Sequence, residues 1–317
     1  MRNFAVKTLL FCSPLLVLAL LFNFILDGYF GNPLNWRPFE KMEWILTVKN
    51  QNFDYAFIGS SRVKYMVDTP TIDRFLHVKS VNLGTDGSGF ADNYLLYSAF
   101  LSNGNTVKTL IINVDPYVLD SKHSFGYPFH DFFFLPRLHD ENVSQTVKNI
   151  SGIKKWLTWK YVPLAKYLEF NEKFILSFVH SFKDQDPQRA IERYENNAGA
   201  DFITNVLNEP FPDRDKDSFV FDDTDAEYLL KIVTLARSSG SNVLLYTAPE
   251  YQGIEKFQTG RSESEARAKK LAGENGLTFL DIADKDIEQD STFFRDWLHL
   301  NATGTRIFSQ RIIDALK

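Results

Sequence analysis

Residues 55–62 read Tyr-Ala-Phe-Ile-Gly-Ser-Ser-Arg, a short apolar run stopped by a glycine and two serines. Four more apolar runs follow, Val78 to Leu83, Leu110 to Val114, Val243 to Thr247 and Leu277 to Leu280. Runs of this length, bounded by turn residues, fit strands buried on both faces. Helical patterns lie among them at Ala91–Leu101, Asp225–Ser238, Glu263–Asn275 and Ala302–Leu316, the third stopped by Gly276. Strands alternating with helices predict a parallel sheet, and five of them predict a flavodoxin-like, three-layer, doubly wound α/β domain. Sites in such sheets form beyond the carboxyl ends of the strands, where the strand order reverses. With the order 2-1-3, three unusual loops would meet there: Gly59-Ser60-Ser61-Arg62, the stretch Asn82 to Gly89, and Asn113-Val114-Asp115-Pro116.

A second stretch, Asp296-Trp297-Leu298-His299-Leu300-Asn301-Ala302-Thr303-Gly304, precedes the last helical pattern. An aspartate three residues before a histidine can turn back to accept the imidazole Nδ1–H, leaving Nε2 free to take a proton from a serine hydroxyl. Taken alone, each residue has a plainer reading. A serine after a strand is most often a helix N-cap, and a lone histidine is most often a buried one satisfied by a neighbour. Together, Ser61, His299 and Asp296 form a candidate nucleophile, base and orienting acid.

The Asp-x-x-His motif, the Leu-Asn-x-x-Gly after it and the terminal helix resemble the SGNH (GDSL-like) hydrolase superfamily, over nearly all the chain after residue 27. The resemblance assigns the nucleophile to Ser61, because Gly59-Ser60-Ser61 stands where the family has Gly-Asp-Ser. Ser60 in place of the aspartate is similar to the membrane-anchored proteins of the kind that serve teichoic-acid D-alanylation and exopolysaccharide acetylation. By resemblance, the oxyanion donors would be the Ser61 N–H, a glycine of the second loop (Gly87, with Gly84 as second choice) and a third-loop asparagine. That asparagine has no clean counterpart: its place best matches Asp115, with Asn113 as the alternative, and an ionised aspartate has no proton to donate. Arg62 is either a solvated first-turn charge or a substrate-binding residue. The implied activity is an extracytoplasmic serine esterase or O-acyltransferase acting on acyl, above all acetyl, esters of envelope or exported polysaccharide. No cofactor is implied, and the implied partner is a membrane-bound O-acyltransferase. Two other readings stay open: a catalytically weak polysaccharide-binding or assembly protein, and a membrane-surface lipid esterase.

Outside these motifs the N-terminus says most. Arg2 and Lys7 precede an uncharged run from Thr8 to Leu26, and Asp27 is the first charge after it. A spanning helix needs about 20 apolar residues. No small-residue cleavage site follows, and Cys12 sits in an unsuitable context for lipidation, so the run predicts an uncleaved anchor in the bilayer through residues 8–26. The basic residues place 1–7 in the cytoplasm and the chain after about Gly28 outside; with the resemblance to bacterial envelope proteins, this implies a single-pass protein of a bacterial inner membrane. The expected organisation is an anchor at 1–27, a connection at 28–52 and a hydrolase domain at 53–317 with an aromatic-rich helical insertion at about 119–222. Within it, Ser124 to Leu135 is dense in aromatics and Ile150 to His180 reads as one or two helices, forming either the insertion's own core or a lid facing substrate or membrane. A net charge of −5 shows no basic excess for nucleic acid. A single cysteine excludes an intramolecular disulfide, and His123, His130 and His139 lie too far apart for a helical metal pair. Gly84, Gly87 and Gly89 do not make a dinucleotide fingerprint. The sequons at Asn142, Asn149 and Asn301 read as accidental.

Overall fold

A computed structural model describes residues 2–115, 119, 129–183, 186–201, 217–218, 221–253, 258–280, 282 and 285–317. Pro116, His123 and the 124–128 part of the aromatic stretch lie outside the described residues. The chain forms two compact units, one of Met1–Glu43 with Phe129–Pro187, the other of Trp44–Pro128 with Gln188–Lys317.

The second unit is built on a five-stranded, wholly parallel sheet. Its strands are β1 (Asn52–Ile58), β2 (Ser80–Asn82), β3 (Thr106–Asn113), β4 (Asn242–Tyr246) and β5 (Thr278–Leu280), ordered β2-β1-β3-β4-β5. This is the doubly wound order, reversing between β1 and β3. The apolar runs become strands because both faces are covered: Ala56, Phe57, Ile58, Leu110, Ile111, Ile112, Leu245 and Tyr246 are all buried. One face carries the helices Ser61–Met66, Thr69–Leu76 and Ala302–Leu316, whose Val63, Met66, Ile72, Phe308, Ile312 and Ile313 share a core with Phe57, Ile111 and Tyr246. The helices Phe90–Ser102 and Asp223–Ser238 pack on each other, with Tyr94 and Tyr228 rings 5.8 Å apart. A two-residue parallel pair, Asp217–Ser218 with Gln258–Thr259, stands outside the main sheet.

The first unit holds the N-terminal helix Arg2–Gly31 and the helices Asp131–Phe134, Glu141–Ser151, Ile153–Tyr161, Ala165–Glu169 and Asn171–Ser181. Its stretch Leu10–Gly31 is long and apolar enough to cross a membrane or to serve as a signal sequence. The helix does not stop at Asp27, because that carboxylate is satisfied in place: it pairs with Lys166 Nζ at 2.7 Å and accepts from the Tyr167 hydroxyl and from Asn23 Nδ2. Phe30 is buried against Trp36, Tyr167 and Phe174. The one or two helices read at 150–180 are three, separated around Leu164, where the backbone turns left-handed at φ +64°, and at Phe170.

Candidate active site

Three chain turns meet beyond the carboxyl ends of β1, β2 and β3. Gly59 follows β1 at φ +157°, and a Cβ there would stand 2.6 Å from Val63 Cγ2 and 3.0 Å from Asn113 Cβ, so only glycine lets the chain turn sharply into the next helix. The N-cap of that helix is Ser60, whose hydroxyl accepts from Arg62 N–H. The plain capping role therefore falls on Ser60, and Ser61 enters the first turn with its hydroxyl available for other work. Ser61 Oγ lies 2.8 Å from His299 Nε2, and His299 Nδ1 lies 2.9 and 3.0 Å from the two Asp296 oxygens.

The loop that carries the histidine and aspartate is fixed from several sides. Phe294 and Leu300, both buried, form an antiparallel bridge at its base, and Arg295 N–H donates to His299 C=O. Asp296 Oδ1 also accepts from the Leu298 and His299 amides, each at 2.9 Å. Asn301 caps the final helix by accepting from Thr303 and Gly304 N–H and ties back by donating to Thr292 C=O. A Cβ on Gly304 would meet Phe293 O at 2.4 Å. The Leu-Asn-x-x-Gly that follows the histidine is thus what folds its loop. Burial acts to raise the Asp296 carboxyl, but the hydrogen bond and charge of His299 and the two amides outweigh it, so its pKa lies below the ordinary carboxylate range.

The second loop docks on the Ser61 turn. Thr85 N–H and Ser88 Oγ both donate to Gly59 C=O, and Leu83 N–H donates to Phe57 C=O. Asn82, fully buried at the end of β2, donates to the carbonyls of Val63 and Val67 and accepts from Gly84 N–H. The Gly84 amide is therefore engaged and unavailable to an oxyanion. Its glycine is needed for contact instead, since a Cβ would sit 2.4 Å from Lys64 N and 2.7 Å from Val63 Cβ. Because those are backbone and core atoms that cannot yield, Gly84→Ala is expected to displace the Ser61 helix. We expect a loss of about 2–3 kcal/mol in stability, comparable to overpacking a core, with turnover reduced, read by thermal unfolding and ester hydrolysis. Gly87 lies at φ +61° in a turn, and among the described residues neither its N–H nor that of Ser61 meets an acceptor.

Two sequence-derived assignments are corrected. Arg62 is neither solvated nor substrate-facing: it is buried, forms an ion pair with Glu250, lies 3.2 Å from Asp115 Oδ2, and donates to the carbonyls of Ala248 and Pro249. Asp115, also buried, is the partner of that guanidinium and accepts from Ala248 N–H and Asn113 Nδ2, each at 3.0 Å. Asp115 is taken up by that guanidinium, and Asn113 spends one of its two Nδ2 hydrogens on Asp115. Burial raises the Asp115 pKa, Arg62 pulls it down, and Glu250 pushes it up again.

Sequence reasoning missed the rim. The Tyr65 ring stands edge-on to His299, centroids 5.9 Å apart, and its hydroxyl donates to Asp86, which also pairs with the buried Lys64. The side chain of Asp86 is half exposed. The helical spacing of Ser61, Lys64 and Tyr65 was visible, but nothing local marked Asp86 as their partner.

No family model matches the chain, and no curated protein sequence matches it significantly. Among solved structures it is similar to a GDSL-like lipase from Bacteroides thetaiotaomicron, at 11% identity over 84% of this chain and 87% of that one, TM-score 0.40. A "putative acylhydrolase" from Bacteroides fragilis is 12% identical over 84% and 86%, TM-score 0.40. A "putative platelet activating factor" from Streptococcus pneumonia is 14% identical over 99% of both chains, TM-score 0.41.

Proposed function

We propose that this chain is a serine ester hydrolase or O-acyltransferase of the SGNH type, in which Ser61, His299 and Asp296 act as nucleophile, general base and orienting acid. The observation that carries the reading is the unbroken relay from Ser61 Oγ to His299 Nε2 and from Nδ1 to Asp296. In this mechanism His299 takes the Ser61 proton as the hydroxyl attacks an ester carbonyl, and returns it to the departing alkoxide. The acyl-serine then passes to water or to a sugar hydroxyl, activated by the same histidine. The amides of Ser61 and Gly87 are the oxyanion donors in this reading, because the Gly84 amide and the Asp115 carboxylate are engaged elsewhere. Asp115, an acceptor bound to Arg62 in the place of a third-loop donor, leaves standing the second reading, a weakly catalytic polysaccharide-binding protein.

The N-terminal helix is proposed as an uncleaved anchor of the bacterial inner membrane, with the catalytic unit outside. Supporting this, its last two turns belong to the first unit: cleavage would strip Lys166 and Tyr167, both buried, of their Asp27 partner and would open the Phe30 cluster. An acylated envelope or exported polysaccharide is the proposed substrate, and a membrane-bound O-acyltransferase the proposed acyl source.

Fluorophosphonate should add to the full-length protein at Ser61, shown by mass spectrometry of the labelled peptide, and p-nitrophenyl acetate and an acetylated oligosaccharide should be turned over. Adding an oligosaccharide acceptor separates transfer from hydrolysis. A parent protein that neither labels nor turns over either substrate favours the binding protein.

A further inference from the structure

The segment 153–182 exposes large apolar side chains as well as burying them. Trp159, Tyr167 and Phe174 are buried within the first unit, yet ten large apolar side chains of the same segment are exposed, among them Leu157, Tyr161, Leu168, Ile175, Phe178 and Phe182. Among the described residues outside the N-terminal helix, only Leu34 and Phe75 are otherwise so exposed. Exposed large apolar side chains gathered in one segment in this way mark a binding or membrane surface.

The N-terminal helix fixes where this patch stands. Asn23 accepts from Leu164 N–H at 3.1 Å, Asp27 pairs with Lys166, and Tyr29 packs against Phe178 with centroids 6.4 Å apart. On the same turns Phe24 and Ile25 remain exposed. Between Lys7 and Asn23 lie 15 residues of helix free of the collar. At 1.5 Å per residue these reach about 22 Å, roughly 8 Å short of a hydrocarbon core of about 30 Å. If the helix spans, the turns carrying the collar are still inside the membrane boundary, and tilting only enlarges the shortfall.

We propose that the collar 153–182 sits in the outer interface of the bilayer that the N-terminal helix crosses, its exposed apolar side chains immersed at the level of the acyl-chain ends nearest the headgroups. The occupant of this surface is lipid. Residues 153–183 hold six lysines and two glutamates within a chain whose net charge is −5. Lys154, Lys155 and Lys160 are exposed beside the apolar side chains, which suits anionic headgroups. Immersion would hold the first unit flush against the membrane, something a single flexible anchor would not achieve. The proposal rests on the reading of the helix as an anchor.

The test uses the full chain with Cys12→Ser, reconstituted alone in nanodiscs of phosphatidylcholine and phosphatidylglycerol. Single cysteines at Leu168, Phe182, Leu16 or Lys108 carry a polarity-sensitive fluorophore, and quenching by lipids spin-labelled near either end of the acyl chain is measured. Labels at 168 and 182 should lose about half their emission to the shallow quencher and less to the deep one, as expected for side chains 5–10 Å into the boundary. Leu16 should show the reverse order, and Lys108, exposed in the second unit, neither. If 168 and 182 behave like 108 while 16 is quenched, the anchor stands, the collar proposal falls, and a protein partner is the better occupant. If 16 is unquenched as well, both fall.

Discussion

Ser61→Ala and His299→Ala should each lower kcat/KM for p-nitrophenyl acetate by about 10⁴-fold or more, and the double variant should be little worse than either, because the two groups act as one unit. Asp296→Ala should cost less, on the order of 10³-fold, since the hydroxyl-to-imidazole bond survives while the ring loses its orientation. The structure separates this loss from a folding defect. Ser61 is not the cap of its helix, so Ser61→Ala should leave the melting temperature in place, whereas Ser60→Ala removes the cap and should cost about 1 kcal/mol. A Ser61→Ala protein that keeps its activity overturns the assignment. The depressed pKa of Asp296 also sets the pH behaviour. The aspartate stays ionised at neutral pH and in mild acid, so its charge is available to orient the His299 ring. The stability that Asp296 contributes is present above its unfolded pKa and is lost only as pH falls through the lower, folded value.

Removing the arginine beside Ser61 should be the most damaging change to stability. Arg62→Met leaves the carboxyl groups of Asp115 and Glu250 buried without their shared cation, a defect of about 3–5 kcal/mol. Arg62→Lys should recover only part of it, because an ammonium cannot meet two carboxylates and two carbonyls with one planar fork. The loss should depend on pH with a definite sign. Asp115 already has a raised pKa through burial, and losing Arg62 takes away the main group that lowers it. The folded variant then binds more protons than the unfolded chain at pH values above the ordinary carboxylate range, so its stability falls as pH rises through that window. Thermal melts of Arg62→Met should approach the parent near pH 5 and diverge toward pH 8. A constant difference across this range would mean that lost packing, not an orphaned charge, causes the defect.

The two predictions draw on different kinds of information. The relay depends on Asp296 and His299, three residues apart in a loop whose own sequence folds it, and on Ser61 at the end of a strand that announces itself by an apolar run and a glycine. The Arg62 cluster depends on Asp115 and Glu250, which reach it from 53 and 188 positions away. From the chain alone, a basic residue in the first turn of a helix reads as solvated, because most are. Gly84 shows the same limit: its place among the second-loop glycines was legible, but not that Asn82 engages its amide and that the Ser61 helix needs its missing side chain. The small pair Asp217–Ser218 with Gln258–Thr259 is built of polar residues, which carry no strand signal of their own.

By itself, then, the sequence determined the five strands, their alternation with helices, the doubly wound sheet and the local geometry of the Asp-x-x-His loop. Each of these follows from periodicity or from contacts within a few residues, where burial and backbone preference act on the chain directly. Tertiary structure alone decided which loop residues keep a free N–H, which carboxylates hold Arg62, and that the N-terminal helix continues past Asp27 into the collar. Those outcomes depend on which distant groups the strand order and helix packing bring within about 3 Å, a hydrogen bond's reach. A buried charge or amide takes whatever partner stands there, and no local pattern names that partner in advance.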